Sequence, residues 1–378
     1  ATINGRVGWK GYTKKDLVND GPFAIGAKHI NKNNKLDLSD PTCLSIEKYL
    51  ESPEIMVYKD DVLIVQRGTI GKIVLIENEI GEATINPSML ILRSKNVLSK
   101  YIYYYFVSEK GQNQIILDTS STGVPMITQR QVLNFKIPIP TLAEQTAIAT
   151  ALSDADGLIT GLEKLIAKKR NIKQGAMQQL LQPKEGWEVK KLGEIAEMYS
   201  GGTPLTSNPN YYNGKIPWVV IADITKAGKY ISETEKTIST EGVFNSSAKI
   251  FDKGILLFAM YASIGKTTIA LMDTTCNQAI LGIKPKLIET EYLYYFLSFN
   301  ENNFSTMGQT GTQSNLSKDL VQKLEIPFPP SKEEQTLITT ILSDMDAELS
   351  ALEQKLEKYK KVKLGMMQEL LTGKTRLV

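Results

Sequence analysis

Residues 141–181 read TLAEQTAIATALSDADGLITGLEKLIAKKRNIKQGAMQQLL, and residues 331–371 read SKEEQTLITTILSDMDAELSALEQKLEKYKKVKLGMMQELL. The two stretches are one sequence written twice. Gln145 corresponds to Gln335, Leu152-Ser153-Asp154 to Leu342-Ser343-Asp344, Asp156 to Asp346, Gly175 to Gly365 and Leu180-Leu181 to Leu370-Leu371, at a constant separation of 190. In the second copy Ile338, Leu342, Met345, Leu349, Leu352, Leu356, Tyr359, Met366 and Leu370 keep a 3,4 apolar spacing, interrupted by Lys363. In the first, Ile148, Leu152, Ile159, Leu162, Ile166 and Leu180 hold the same places, with Lys169 and Lys173 as the interruptions. Such a seam predicts two long helices that pack on one another. Thr141 with Glu144, and Ser331 with Glu334, have capping-box spacing at the helix starts. A helix of about 40 residues is roughly 60 Å long and cannot bury such a stripe alone. With a whole domain between the copies, antiparallel packing is the expected arrangement.

Around the helices the chain reads as two mixed domains. Residues 1–136 hold short apolar runs of strand character, Val62-Leu-Ile-Val65, Ile73-Val-Leu-Ile76 and Met89-Leu-Ile-Leu92, set between Gly, Asn, Asp and Pro. One helical stretch, Lys100 to Phe106, interrupts them. Residues 187–325 repeat the plan with Ile255-Leu-Leu-Phe258, Thr268-Ile-Ala-Leu271, Ala279 to Ile283 and the helical Tyr292 to Phe296. The expected fold is α+β. Two homologous, mostly β domains, 1–140 and 186–330, are joined by long helices at 141–185 and 331–378 that form an antiparallel coiled coil, giving an internal pseudo-two-fold. Ala1 aligns with Ala196, so the first domain is expected to lack the strand Trp187–Ile195 that opens the second.

Composition narrows the class. A hydrophobic fraction of 42% and a charged fraction of 22% over 378 residues fit a soluble protein of two or three domains. No apolar run is long enough to span a bilayer, which points away from a membrane and to the cytoplasm. Cys43 and Cys276 lack CxxC spacing, so neither zinc nor disulfides are expected. The net charge of +3 is too small to identify a nucleic-acid partner by itself.

Catalytic motifs fail on inspection. Gly265-Lys266-Thr267 is similar to the end of a phosphate loop, but Met260 stands where its first glycine belongs, and a strand turn is expected instead. Asn86-Pro87-Ser88-Met89 is similar to the adenine-methyltransferase motif without the aromatic that stacks a flipped base. Asp154 and Asp156 lie two apart on different helix faces, as do Asp344 and Asp346, so a bond to a neighbouring loop or partner is expected rather than a metal pair. His29 is the only histidine. The tyrosines at 103–105 and 294–295 are expected in the domain cores. No catalytic residue, metal or cofactor of this chain is expected.

The ordered repeat resembles the specificity (S) subunit of type I restriction–modification systems. The residues that carry the resemblance are Lys191-Leu-Gly-Glu-Ile195, Gly201-Gly-Thr-Pro204, Ile216-Pro-Trp218, the helix openings Glu144-Gln145 and Glu334-Gln335, and the closing stretch Leu370 to Arg376. It implies that each domain is a target recognition domain reading half of an asymmetric, split target in double-stranded DNA. It implies helices that space the domains and seat two methyltransferase (M) subunits, which bind S-adenosylmethionine and methylate adenine. Restriction (R) subunits would add translocation and cleavage. The alternative is a stand-alone coiled-coil DNA-binding or regulatory protein without a methyltransferase partner.

Groups able to read base edges or hold phosphates stand in the divergent loops. In the first domain they are Arg6, Trp9, Lys10, Tyr12, Lys14, Lys28, His29, Arg67, Ser121, Thr122 and Arg130. In the second they are Thr203, Asn208, Tyr211, Tyr212, Tyr261, Lys266, Thr310, Thr312, Gln313, Asn315 and Lys318. Two unlike heads are expected to touch half-sites about one helical turn apart. A 60 Å rod overshoots that span unless the heads pack back along its flanks.

Overall fold

The computed structural model describes residues 1–5, 11–119, 124–307 and 315–377; Arg6, Trp9, Lys10, Ser121, Thr122, Thr310, Thr312 and Gln313 lie outside the described residues. The chain divides into two compact units, 1–164 with 353–378 (unit 1) and 165–352 (unit 2). Both boundaries fall inside the long helices, so each unit contains one head and a segment of both helices.

Unit 1 has strands β1 (Thr2–Asn4), β2 (Leu17–Ile25), β3 (Cys43–Leu44), β4 (Val62–Val65), β5 (Ile73–Leu75), β6 (Ala83–Ile85) and β7 (Met89–Arg93). Its helices are α1 (Ile46–Leu50), α2 (Ser99–Val107), α3 (Glu109–Leu117), α4 (Gln129–Leu133) and the first part of α5 (Leu142–Leu180). An antiparallel sheet in the order β1-β7-β4-β5 lies beside a smaller sheet, β3-β2-β6, in which β2 and β6 run parallel. The apolar runs seen in the sequence are strands buried on both faces, with side chains alternating between two cores. Val62, Ile64, Leu90 and Leu92 enter the core that holds the α2 tyrosines, while Leu63, Val65, Met89 and Ile91 enter the other.

Unit 2 repeats the scheme with β8 (Glu188–Lys191), β9 (Ala196–Ser200), β10 (Tyr212–Val219), β11 (Tyr230–Ile231), β12 (Thr237–Ile238), β13 (Leu256–Ala259), β14 (Thr267–Ala270), β15 (Thr275–Cys276), β16 (Ile280–Pro285) and β17 (Glu325–Phe328). Its helices are α6 (Leu192–Ile195), α7 (Ile221–Lys226), α8 (Thr240–Phe244), α9 (Thr290–Phe299), α10 (Glu301–Met307), α11 (Lys318–Gln322) and the first part of α12 (Lys332–Leu370). The sheet β11-β14-β13-β16-β9 answers to the main sheet of unit 1, and β12-β10-β15 to the smaller one, including a parallel pair. Leu256 and Phe258 face one core and Leu257 the other. Among the described residues no helix is long and apolar enough to cross a membrane.

In each unit the two long helices run antiparallel. In unit 1, Lys363 meets Asp156 at 2.6 Å and Lys360 meets Glu163 at 3.6 Å; in unit 2, Lys169 meets Glu348 at 2.6 Å and Lys173 meets Asp346. Position along α5 rises as position along α12 falls. Every expected seam residue is buried or half-buried: Ile148, Leu152, Ile166, Ile338, Leu342, Leu349 and Leu370 fully, and Ile159, Leu162, Leu180, Met345, Leu352, Leu356 and Met366 in part. The seam also takes in Met177, Leu181, Met367 and Leu371, which continue into the head cores. Each head therefore packs along the flank of the helix pair in its own unit.

The lysines that interrupt the apolar seam have a specific use. Asp156 accepts the Tyr104 hydroxyl of α2 at 2.9 Å and the Lys363 ammonium at 2.6 Å. In unit 2, Asp346 accepts the Tyr295 hydroxyl of α9 at 2.8 Å and the Lys173 ammonium. One carboxylate thus ties a head tyrosine to the opposite helix, in both copies of the repeat. The lysine stems cover apolar surface while their charged ends reach the carboxylate. Burial pushes both phenols up, and Asp156 adds to the shift of Tyr104.

Two further contacts recur. Gln145 accepts the Leu98 N–H at 2.8 Å and donates to the Pro140 carbonyl at 2.9 Å; Gln335 accepts from Glu289 and donates to Pro329, both at 2.8 Å. The Tyr101 and Tyr292 hydroxyls donate to Pro138 and Pro327 at 2.8 and 3.0 Å. The capping boxes form only by half. Thr141 and Ser331 accept the N–H groups of Glu144 and Glu334 at 3.3 Å, but the glutamates do not reach back. Glu144 is instead gripped by the Arg376 guanidinium, a charged donor that competes better for the carboxylate than a backbone N–H, and Glu334 accepts Trp187 Nε1 at 3.3 Å.

Candidate nucleic-acid interface

The divergent loops of unit 1 converge on the turn that joins β4 to β5. Gly68 and Gly71 take φ of 84° and 90° there, a conformation that favours glycine and makes the hairpin possible. Arg67 is exposed on this turn and bridges to Met126, with Gly68 N–H donating to Pro125 at 3.1 Å and Ile127 N–H to Gln66 at 2.9 Å. The Gln66 amide donates to the Pro87 carbonyl at 2.9 Å, drawing in the Asn86–Ser88 turn. Asn86 Oδ1 accepts the Ser88 N–H at 3.0 Å and hydroxyl at 2.6 Å, so this asparagine shapes a turn. A Cβ on Gly11 would lie 3.8 Å from Pro87, which brings Tyr12 to the same edge. A Cβ on Gly5 would lie 2.9 Å from the Gln129 amide, and exposed Arg130 follows on α4.

The equivalent turn of unit 2 carries other residues. Tyr261 stands where unit 1 has Arg67 and bridges to Asn315, with Leu316 N–H donating to Met260 at 2.9 Å. Ala262 holds φ 58° where unit 1 has a glycine. Met260 N–H donates to Ala279 at 2.9 Å, adjacent to Gln278, which receives the Thr203 hydroxyl. Thr203, Gln278, Tyr261 and Asn315 therefore share one edge. Beneath it Gly201 passes so close to the Asn277 carbonyl that a Cβ would sit 2.1 Å from it, so only glycine fits. Trp218 Nε1 donates to the Gly202 carbonyl at 3.1 Å and fixes the Gly-Gly-Thr-Pro loop from below.

Other expected residues stand elsewhere. Lys14 is exposed on a short 3-10 turn capped by Thr13. Lys28 pairs with Asp40 at 2.8 Å, both exposed, a contact of little energetic weight. His29 is a correction. It is 3% exposed, accepts the Gly26 N–H through Nδ1 at 2.9 Å and lies 3.2 Å from the Asp40 carbonyl through Nε2, so it is a structural residue. Burial first, then Lys28, lowers its pKa and keeps it neutral. Tyr212 packs edge-on against Trp218 and donates to Pro204 at 2.6 Å, and Asn208 caps its own turn. Tyr211 is half-buried between that turn and β10. Lys266 faces Glu301 at 3.3 Å, just after Gly265 with φ 86°, the strand turn expected there. Lys318 is half-buried at the start of α11.

Gln66, Gln129 and Gln278 also occupy these edges, and no motif in the sequence marks them. Their signal is weak: a glutamine in a loop declares itself only once the turn beside it has a partner.

The chain belongs to the type I restriction modification DNA specificity domain family, whose profile matches twice, over residues 10–174 and 184–362. It is a specificity subunit with two recognition domains. Among its relatives is the MjaVIII specificity subunit of Methanocaldococcus jannaschii, 25% identical over 87% of this chain and 82% of the relative. The MjaIX specificity subunit of the same organism is 37% identical over 43% of this chain and only 38% of its own length. The fold matches the crystal structure of the type I S subunit from M. genitalium with a TM-score of 0.60 at 16% identity, covering 98% of this chain and 93% of that one. A chain from a structure of type I R-M complex assembly matches at 0.61 and 20% identity, covering 91% and 89%.

Proposed function

We propose that this chain is the non-catalytic DNA-reading subunit of a type I restriction–modification complex, with one asymmetric, bipartite target in double-stranded DNA. Each head reads one half. The helices seat two methyltransferase subunits, S-adenosylmethionine is bound by those subunits, and restriction subunits join the same assembly in the cytoplasm. The observation that carries the reading is the pair of equivalent turns with unlike side chains, Arg67 beside Met126 in one unit and Tyr261 beside Asn315 in the other. A guanidinium suits guanine or a phosphate, whereas a phenol with a carboxamide offers a different donor and acceptor pattern. Similar scaffolds that present different chemistry at one position suit two different words of sequence.

Selection of a random duplex library by the chain bound to its methyltransferase subunits tests this. Two unlike half-sites at a fixed separation are expected; enrichment of a palindrome, or of no sequence, contradicts it. Within that complex, Arg67→Ala is expected to lower affinity about tenfold, either relaxing one half-site or reducing the salt slope by about 1. Tyr261→Ala acts on the other half-site alone. Unchanged affinity in both variants removes the two turns from the interface.

A further inference from the structure

We propose that Gln278 is a base-reading side chain of unit 2 and that it selects an adenine in the half-site this head reads. That role rests on the DNA-reading function proposed above. Both heads build the same turn at the reading edge. In unit 2 the Asn277 N–H donates to the Val219 carbonyl at 3.1 Å, and Asn277 Oδ1 accepts the Ala279 N–H at 3.1 Å. In unit 1 the Asn86 N–H donates to the Ile25 carbonyl at 2.9 Å, and Asn86 Oδ1 accepts the Ser88 N–H at 3.0 Å. The residue held between those bonds differs. It is Gln278 in one head and Pro87 in the other, both exposed, so one turn presents a carboxamide where its counterpart presents a ring without polar atoms.

The backbone on both sides of Gln278 is clamped. The Ala279 carbonyl accepts the Met260 N–H at 2.9 Å, and Cys276 is fully buried close against Gly201. Thr203 then orients the exposed side chain by donating its hydroxyl to Gln278 Oε1. A carboxamide oxygen has two lone pairs, so one remains for a ligand beside the two N–H donors of Nε2. In the major groove adenine shows an N7 acceptor and an N6 amino donor, and a carboxamide matches both at once. Guanine would instead set its O6 against Oε1, acceptor against acceptor. A reading group fixed by its neighbours before binding holds the geometry that such a pair requires. The surroundings suit the same base pair. Ala262, exposed at φ 58°, keeps a methyl group where unit 1 has Gly68, in a conformation that glycine reaches at lower cost. An alanine methyl fits the C5-methyl of the thymine paired with that adenine or beside it. The arginines of the two heads, Arg6, Arg67, Arg93 and Arg130, all lie in residues 1–140, so guanidinium readout belongs to unit 1.

The test is selection of a random duplex library by the chain in complex with its methyltransferase subunits, comparing the wild type with Gln278→Ala, Gln278→Glu and Thr203→Val. The wild type is expected to enrich two unlike half-sites. Gln278→Ala should lower the preference for adenine at one position of one half-site by about tenfold and leave the other half-site unchanged. Gln278→Glu keeps the shape of the side chain and replaces the amide donor by an acceptor. It should move that position towards cytosine, whose N4 amino group is a donor. Thr203→Val should relax the same position by a smaller factor. Base preferences unchanged in both Gln278 variants, relaxation at a guanine, or an equal loss of affinity for every sequence overturns the assignment of Gln278 while the two half-sites stand. No enrichment by the wild type removes the DNA-reading function itself, and the role of Gln278 with it.

Discussion

Leu342→Ala is expected to lower the unfolding free energy by about 2–5 kcal/mol, the range for emptying a packed leucine site. Leu342 is 0% exposed and belongs to the same core as Tyr292, Leu293 and Phe296 of α9. That core also holds Met177 and Leu181 from the opposite helix, so the space sits between helix and head and cannot collapse fully. Leu152→Ala, at the equivalent position of unit 1 and also 0% exposed, has an effect of the same size. Leu337→Ala on the same helix is the control. That side chain is 61% exposed, and its removal should stay within about 0.5 kcal/mol. Denaturant titration measures all three. A Leu342 variant as stable as the Leu337 variant would mean that the seam is not packed.

The shared aspartate gives the second large effect. Asp156→Ala removes the acceptor shared by the Tyr104 hydroxyl and the Lys363 ammonium, at a site where the Asp156 and Lys363 side chains are each 22% exposed. Breaking a fully buried pair costs roughly 3–5 kcal/mol, and partial solvent access lowers the expected cost to about 2–3 kcal/mol. Lys363→Ala costs less, about 1 kcal/mol, because Asp156 keeps its tyrosine. The double variant should be more stable than the sum of the two predicts, by about 1 kcal/mol of coupling. Strict additivity would show that the two groups do not interact. The cycle on Asp346 and Lys173 should give the same sign.

Much of this architecture was legible because a repeat doubles every signal. The 3,4 spacing from Ile338 to Leu370 and its copy from Ile148 to Leu180 fixed the helices, and the runs at 62–65 and 89–92 fixed the central strands. Lys169, Lys173 and Lys363 looked like flaws in the seam because apolar periodicity carries no information about a carboxylate on another helix, Glu348, Asp346 and Asp156 respectively. Glu144 and Glu334 met the spacing of a capping box, yet their partners, Arg376 and Trp187, lie far away in sequence. His29 looked like a loop residue because nothing local marks the carbonyl of Asp40 and the N–H of Gly26 that enclose it. The candidate interface was legible as a set of loops but not as a grouping. Arg67 meets Met126, and Tyr261 meets Asn315, through bridges between distant segments that no single-sequence pattern announces.

The central claim is that each head reads its own half of the target. Exchange of residues 1–140 for the corresponding domain of another family member, followed by mapping of methylated adenines across the genome of cells carrying the chimaera, tests it most directly. The account predicts that one half of the methylated sequence is replaced and the other kept base for base. Alteration of both halves, or of neither, contradicts it.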